Sequence, residues 1–212
     1  MNGKFSWDLF RELPVIGILR GFSSAEVEEV AAASARGGLT CLEVTMNTAG
    51  AEESIRIARK ALGGSMNIGA GTVCTRKDLD LALGAGAEFI VTPVLVEDVI
   101  EACRRAGVPV IAGALTPTEI HRAWQLGADL VKVFPADQLG PGYLRSVKAP
   151  LPDVRLVPTG GVTVETLAEY KRAGADGFGV GSPLFHRDRV SARDWKWVEE
   201  QARRFAEAYR RA

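Results

Sequence analysis

The chain has 212 residues, 47% hydrophobic and 25% charged, which is a globular composition with enough apolar surface for one substantial core. Its 26 Lys and Arg balance 26 Asp and Glu, so no net field recruits nucleic acid or an anionic membrane, and any anion site must be local. No run reaches the about 18 consecutive apolar residues of a membrane helix, and the three cysteines, Cys41, Cys74 and Cys103, lie far apart with no metal or disulfide spacing.

The amino terminus, Met1 to Glu12, mixes charges with Phe5, Trp7, Leu9 and Phe10 and reads as a short amphipathic helix rather than a secretory signal. Eight short apolar runs follow as candidate strands: 15–19, 41–45, 67–70, 89–92, 108–112, 130–134, 154–158 and 177–180. Amphipathic helices are expected between them at 25–36, 51–62, 76–83, 96–106, 117–126, 142–147 and 164–173, with a last helix over 192–211. Helix exits repeat a Gly-Ala pattern, as in Gly84-Ala85-Gly86-Ala87 and Ala173-Gly174-Ala175-Asp176. Strands read as continuous apolar runs because both their faces are covered, so eight strand-helix units predict a closed (β/α)₈ TIM barrel, one domain over residues 1–212. The alternative is an open doubly wound sheet, but no GxGxxG opens the first helix. Three isolated cysteines suit a reducing compartment, and with no signal-like run at the start a cytoplasmic protein is expected.

Chemistry in such a barrel gathers at the carboxyl ends of the strands. Two charges sit where apolar residues are expected: Lys132 in Leu130-Val131-Lys132-Val133-Phe134 and Glu43 in Cys41-Leu42-Glu43-Val44-Thr45. A buried amine is pushed towards its neutral, nucleophilic form, which suits Schiff-base chemistry with a ketone. The plainer readings are a lysine that snorkels to solvent and a structural Glu43 to Lys132 ion pair. Arg20 ends the first strand, Thr72 follows Gly69-Ala70-Gly71 at the end of the third, and both reach the same mouth. Thr92-Pro93, Gly113-Ala114 and Thr116-Pro117 read as uncharged walls. The seventh and eighth strands end in Thr159-Gly160-Gly161 and Gly179-Val180-Gly181-Ser182, glycine loops of the kind whose amides cradle a phosphate. His121 and His186 have no ligand spacing, so no metal and no cofactor are expected. The charged run Arg187-Asp188-Arg189 reads as a solvated loop.

These motifs together resemble the class I aldolases acting on 2-keto-3-deoxy-6-phosphogluconate (KDPG) and 4-hydroxy-2-oxoglutarate (KHG). The likeness runs from Pro14-Val15-Ile16 with Leu19-Arg20, through Leu42-Glu43-Val44-Thr45 and Gly69-Ala70-Gly71-Thr72-Val73, to Lys132-Val133-Phe134-Pro135-Ala136 and Pro158-Thr159-Gly160-Gly161. It implies that Lys132 forms the Schiff base and Glu43 is the general acid/base. It further implies that Arg20 and Thr72, with Gly71 and Asn47, hold the keto-acid carboxylate, and that Gly160, Gly161, Gly181 and Ser182 receive the phosphate. The partner implied is a small keto-acid sugar phosphate, and the assembly a homotrimer. The chain departs from the family at Met46-Asn47-Thr48, where many members have Leu-Arg-Thr. Relatives acting on 2-keto-3-deoxy-6-phosphogalactonate look similar around Asn47 and Gly140-Pro141-Gly142-Tyr143, which makes that sugar acid the alternative substrate. Two other functions fit parts of the pattern: a phosphosugar isomerase or epimerase, which leaves Lys132 idle, and a phosphometabolite-binding protein, which needs neither Lys132 nor Glu43.

Overall fold

The computed structural model describes residues 4–212. Eight parallel strands, β1 (Val15–Leu19), β2 (Cys41–Thr45), β3 (Asn67–Gly71), β4 (Ile90–Val91), β5 (Val110–Ala114), β6 (Leu130–Val133), β7 (Leu156–Pro158) and β8 (Phe178–Val180), pair in sequence order, with β8 beside β1. Isolated bridges Leu156 to Ala175 and Thr159 to Gly179 close the ring between β7 and β8. This is the expected TIM barrel.

Helices α2 (Ser24–Arg36), α3 (Ala51–Leu62), α4 (Arg76–Gly84), α5 (Glu97–Ala106), α6 (Pro117–Gln125), α7 (Gly140–Lys148) and α8 (Leu167–Arg172) cover the outside. Three of them start in capping boxes: Ser23 with Glu26, Thr75 with Asp78, and Thr116 with Glu119. Each box satisfies otherwise orphaned amides of the first turn and contributes about 1 kcal/mol. Every residue of β1, β2, β3, β5 and β6 is buried, as expected of strands packed between a barrel interior and a helix shell.

The amino-terminal helix α1 (Trp7–Glu12) is shorter than the expected element, whose residues 1–3 lie outside the described part. It plugs the amino end of the barrel. Phe10 packs with Ile16, Cys41, Phe89, Val91, Ile111, Leu130 and Val157, and the Asn67 side chain clamps the backbone of Ser6 by accepting from its N–H at 2.7 Å and donating to its carbonyl at 2.9 Å. The barrel is therefore solid at that end and open at the other.

Two boundaries differ from expectation in ways that matter. The strand expected at 108–112 forms at Val110–Ala114, because Val108 ends α5 by donating to the Cys103 carbonyl and Pro109 offers only an acceptor, to Ile90. The last helix expected over 192–211 begins at Trp195 (α10, Trp195–Arg211), and a separate five-residue helix, α9 (Arg187–Ser191), precedes it. The break falls at Arg193, whose φ of 55° cannot continue a helix, and Asp194 restarts it by accepting from the Trp197 amide at 3.1 Å.

Candidate active site

Strand register sets the centre of the site. Glu43 lies between Ile18 of β1 and Gly69 of β3, and Lys132 between Gly113 of β5 and Val157 of β7. Both side chains enter the barrel, with Glu43 1% and Lys132 3% exposed. Neither plain alternative holds: Lys132 does not snorkel, and among the described residues no ion pair or hydrogen bond joins it to Glu43.

Burial acts on the two groups in the same sense, towards neutrality. It pushes the Glu43 carboxyl above the usual carboxylate range, against the opposing fields of Lys132 and Arg20. It pulls the Lys132 ammonium below the usual lysine value, against the attraction of Glu43 and with some help from Arg20. The Lys132 Nζ lies 5.2 Å from the centroid of the Phe134 ring, an apolar wall on one side of the amine. Glu43 Oε1 is buried with no hydrogen-bond partner among the described residues, an unusual state for a carboxyl oxygen.

Gly71 explains how Glu43 fits. A Cβ at that position would collide with Oε1 and lie 2.6 Å from the carboxyl carbon, so the missing side chain makes the carboxyl's seat. This places Gly71 against the acid/base candidate, whereas the family likeness assigned it to a carboxylate. Thr72 follows with a φ of 55°, a left-handed conformation that is costly for a β-branched residue and is held by its surroundings. Its hydroxyl accepts from the Arg20 Nη2 at 3.4 Å, so Arg20 and Thr72 meet as expected.

A cavity of about 510 Å³ opens above Lys132. Arg20, Gly160, Gly161, Gly181 and Ser182 all line it, which brings the first-strand arginine and both glycine loops to the lysine. Gly160 and Gly161 have φ of 92° and 71°, backbone that only glycine adopts without strain. Among the described residues neither the Gly161 nor the Ser182 amide donates to a protein acceptor, leaving both for an anion. Glu43, Gly71 and Thr72 are not part of this lining, and neither is Asn47. It lies exposed in the turn after β2, outside the cavity wall, and the hydroxyl of neighbouring Thr48 accepts from the Gly21 amide at 2.9 Å instead. The walls expected from Thr92 and Gly113 lock β4 to β5: the Thr92 hydroxyl accepts from the Gly113 amide at 2.9 Å and donates to the Val94 carbonyl at 2.7 Å.

The cavity also has a member that the sequence disguised. Arg187, exposed to solvent as expected of its charged run, also lines it beside Phe185 and Ser182. Its wall thus carries three cations, Arg20, Lys132 and Arg187, and no carboxylate. The three cations suit an anionic ligand and Lys132 offers it an amine, while the Glu43 carboxyl lies off this wall, seated against Gly71.

Comparison with known proteins agrees with this chemistry. A family model for KDPG and KHG aldolases matches residues 8–201. The chain is 36% identical over 202 residues to the 2-dehydro-3-deoxy-6-phosphogalactonate aldolase of Escherichia coli K12, covering 95% of this chain and 97% of that one. It is 36% identical over 202 residues to the 2-dehydro-3-deoxy-phosphogluconate aldolase of Pseudomonas aeruginosa, covering 93% and 90%. A solved structure described as native KDPGal superposes with a TM-score of 0.89 at 33% identity, over 98% of each chain.

Proposed function

Because the chain belongs to the family of KDPG and KHG aldolases, which are lyases, we propose that it is a Schiff-base aldolase cleaving KDPG to pyruvate and glyceraldehyde 3-phosphate. KHG, giving pyruvate and glyoxylate, is a second substrate of the same chemistry. The observation that carries the reading is Lys132, a buried amine with a lowered pKa at the floor of a cavity walled by glycine loops.

Neutral Lys132 attacks the C2 ketone to give a carbinolamine. Glu43, whose burial favours the protonated carboxyl, donates a proton to the departing hydroxyl, and water leaves to form an iminium. The Glu43 carboxylate so formed then takes the C4 hydroxyl proton, directly or through one water. The C3–C4 bonding pair flows into the iminium as the aldehyde departs, leaving an enamine. Protonation of C3 by Glu43 and hydrolysis of the resulting iminium release pyruvate and restore the amine. Arg20 and Thr72 hold the carboxylate of the keto acid, and Arg20 also disfavours a charged Lys132. Gly160, Gly161, Gly181 and Ser182 receive the phosphate, a role supported by the unused amides of Gly161 and Ser182.

Asn47, in place of the family's common arginine, favours a second substrate reading, the galactonate epimer on which the E. coli relative acts. Pyruvate release from KDPG, its galactonate epimer and KHG, measured side by side, tests both. Faster turnover of KDPG supports the main reading, faster turnover of the epimer moves the assignment to it, and no pyruvate from any of the three overturns the aldolase.

The same family likeness supports a homotrimer, for which the check is a light-scattering mass of three times 22.7 kDa. One domain over 1–212 is supported by the single closed ring of strands, and a reducing cytoplasm by three unpaired cysteines. No helix among the described residues is long and apolar enough to cross a membrane.

A further inference from the structure

Three cations face the cavity, and two have a part in the chemistry above. The third, Arg187, begins α9, five residues beyond Ser182 of the second glycine loop. Its neighbour Arg189 points elsewhere: it pairs with Asp194 at 3.0 Å and lies 5.9 Å from the Trp197 ring. The His186 ring packs edge-on against the same Trp197, with centroids 6.5 Å apart, and Val190 is fully buried. These contacts anchor α9 to α10 and turn Arg187 alone towards the mouth.

There its guanidinium crosses from the β8 loop to the end of β1. Nη2 donates a long hydrogen bond, 3.4 Å, to the Gly21 carbonyl, and Nη1 lies 3.1 Å from where a Gly21 Cβ would stand. A side chain at position 21 would crowd the guanidinium from this place. Among the described residues Arg187 forms no ion pair. Glu26, a carboxylate that feels its charge, is committed to Ser23, accepting from the Ser23 amide and hydroxyl at 2.7 Å each. An arginine with one weak partner, beside free amides in a cavity without carboxylates, is arranged for an anion with several oxygens.

We propose that Arg187 is a specificity-determining residue that closes its guanidinium on the substrate's phosphoryl group, making the site select phosphomonoesters over uncharged ends. The inference rests on the aldolase reading for the identity of the substrate, but not for the binding event itself. Glycine-loop amides can hold a phosphate in any orientation that brings three oxygens near, whereas the fork of Arg187 reaches it from the β1 side and fixes the chain's length. A substrate that ends short of the loops, such as KHG, gains nothing from it.

The test is calorimetric binding of glycerol 3-phosphate to the wild-type protein, Arg187→Ala and Arg187→Lys, with pyruvate and borohydride labelling of the same samples. The expected result is weakening of glycerol 3-phosphate binding by about 10- to 100-fold in Arg187→Ala, the range of a charge-assisted hydrogen bond. Arg187→Lys should recover part of the affinity, with pyruvate labelling unchanged in both variants. Equal phosphomonoester binding in wild type and Arg187→Ala overturns the proposal, and so does a parallel loss of pyruvate labelling, which would make Arg187 structural. A wild type that binds glycerol 3-phosphate through Arg187 yet takes no pyruvate label would overturn the aldolase and leave this inference standing.

Discussion

Glu43 and Lys132 are buried ionisable groups inside apolar strands, costly to bury, and they are the two that the proposed chemistry uses. Replacing Glu43 by Gln keeps the shape and the seat against Gly71 but removes the exchangeable proton. Turnover should fall by about 10²-fold or more while pyruvate still enters the cavity, and an unchanged rate would remove Glu43 from the mechanism. Gly71→Ala probes the same carboxyl from behind: the new Cβ must displace Oε1, so kcat should fall with little change in KM. A fall confined to KM would return Gly71 to the carboxylate subsite that the family likeness gave it. Both buried charges were legible in the sequence, because an ionisable residue interrupting an apolar strand has no cheap structural explanation. Arg187 was not, since within Arg187-Asp188-Arg189 nothing local tells the arginine facing the cavity from the one paired with Asp194. The strain at Thr72 was hidden too, because the left-handed region is not written in a β-branched residue.

At the scale of elements, the strands and most helices follow from apolar runs and start signals, and the capping boxes explain why the helix starts at Ser24, Arg76 and Pro117 were readable. The division between α9 and α10 escaped because it depends on Arg193 adopting φ of 55°, with no glycine or proline to announce it. That division lets Asp194 both cap α10 and pair with Arg189 of α9. Helix α1 closes the barrel far from the chemistry. Phe10 is 5% exposed at the centre of the inner cluster. Phe10→Ala should cost about 3–5 kcal/mol in urea unfolding, while the folded fraction still accepts pyruvate. A cost below about 1 kcal/mol would mean that α1 is an ornament on a barrel that closes without it.

For the whole molecule, the buried Glu43 is a source of instability whose size depends on pH. The folded-state pKa of Glu43 is raised, so the native protein binds a proton that the unfolded chain has released at any pH between the ordinary carboxylate value of 4.5 and the folded one. Stability is therefore lost as pH rises through that window, and none of this loss occurs in Glu43→Gln. The melting temperatures of wild type and Glu43→Gln should be close at pH 4 and diverge in the variant's favour towards pH 8. A wild type that melts higher at pH 8 would mean that the carboxylate is stabilised where it lies, as in a structural ion pair.

The central claim is that the barrel was built around a nucleophilic lysine, and covalent trapping tests it most directly. Intact mass is measured after incubation with pyruvate and borohydride, followed by peptide mapping, for wild type and Lys132→Ala. The account predicts one reduced pyruvyl adduct on Lys132 in the wild type, and neither adduct nor turnover in the variant. No adduct in the wild type under conditions that label a control aldolase, or normal turnover by Lys132→Ala, would contradict it and leave the isomerase chemistry of Glu43 as the better explanation of the same cavity.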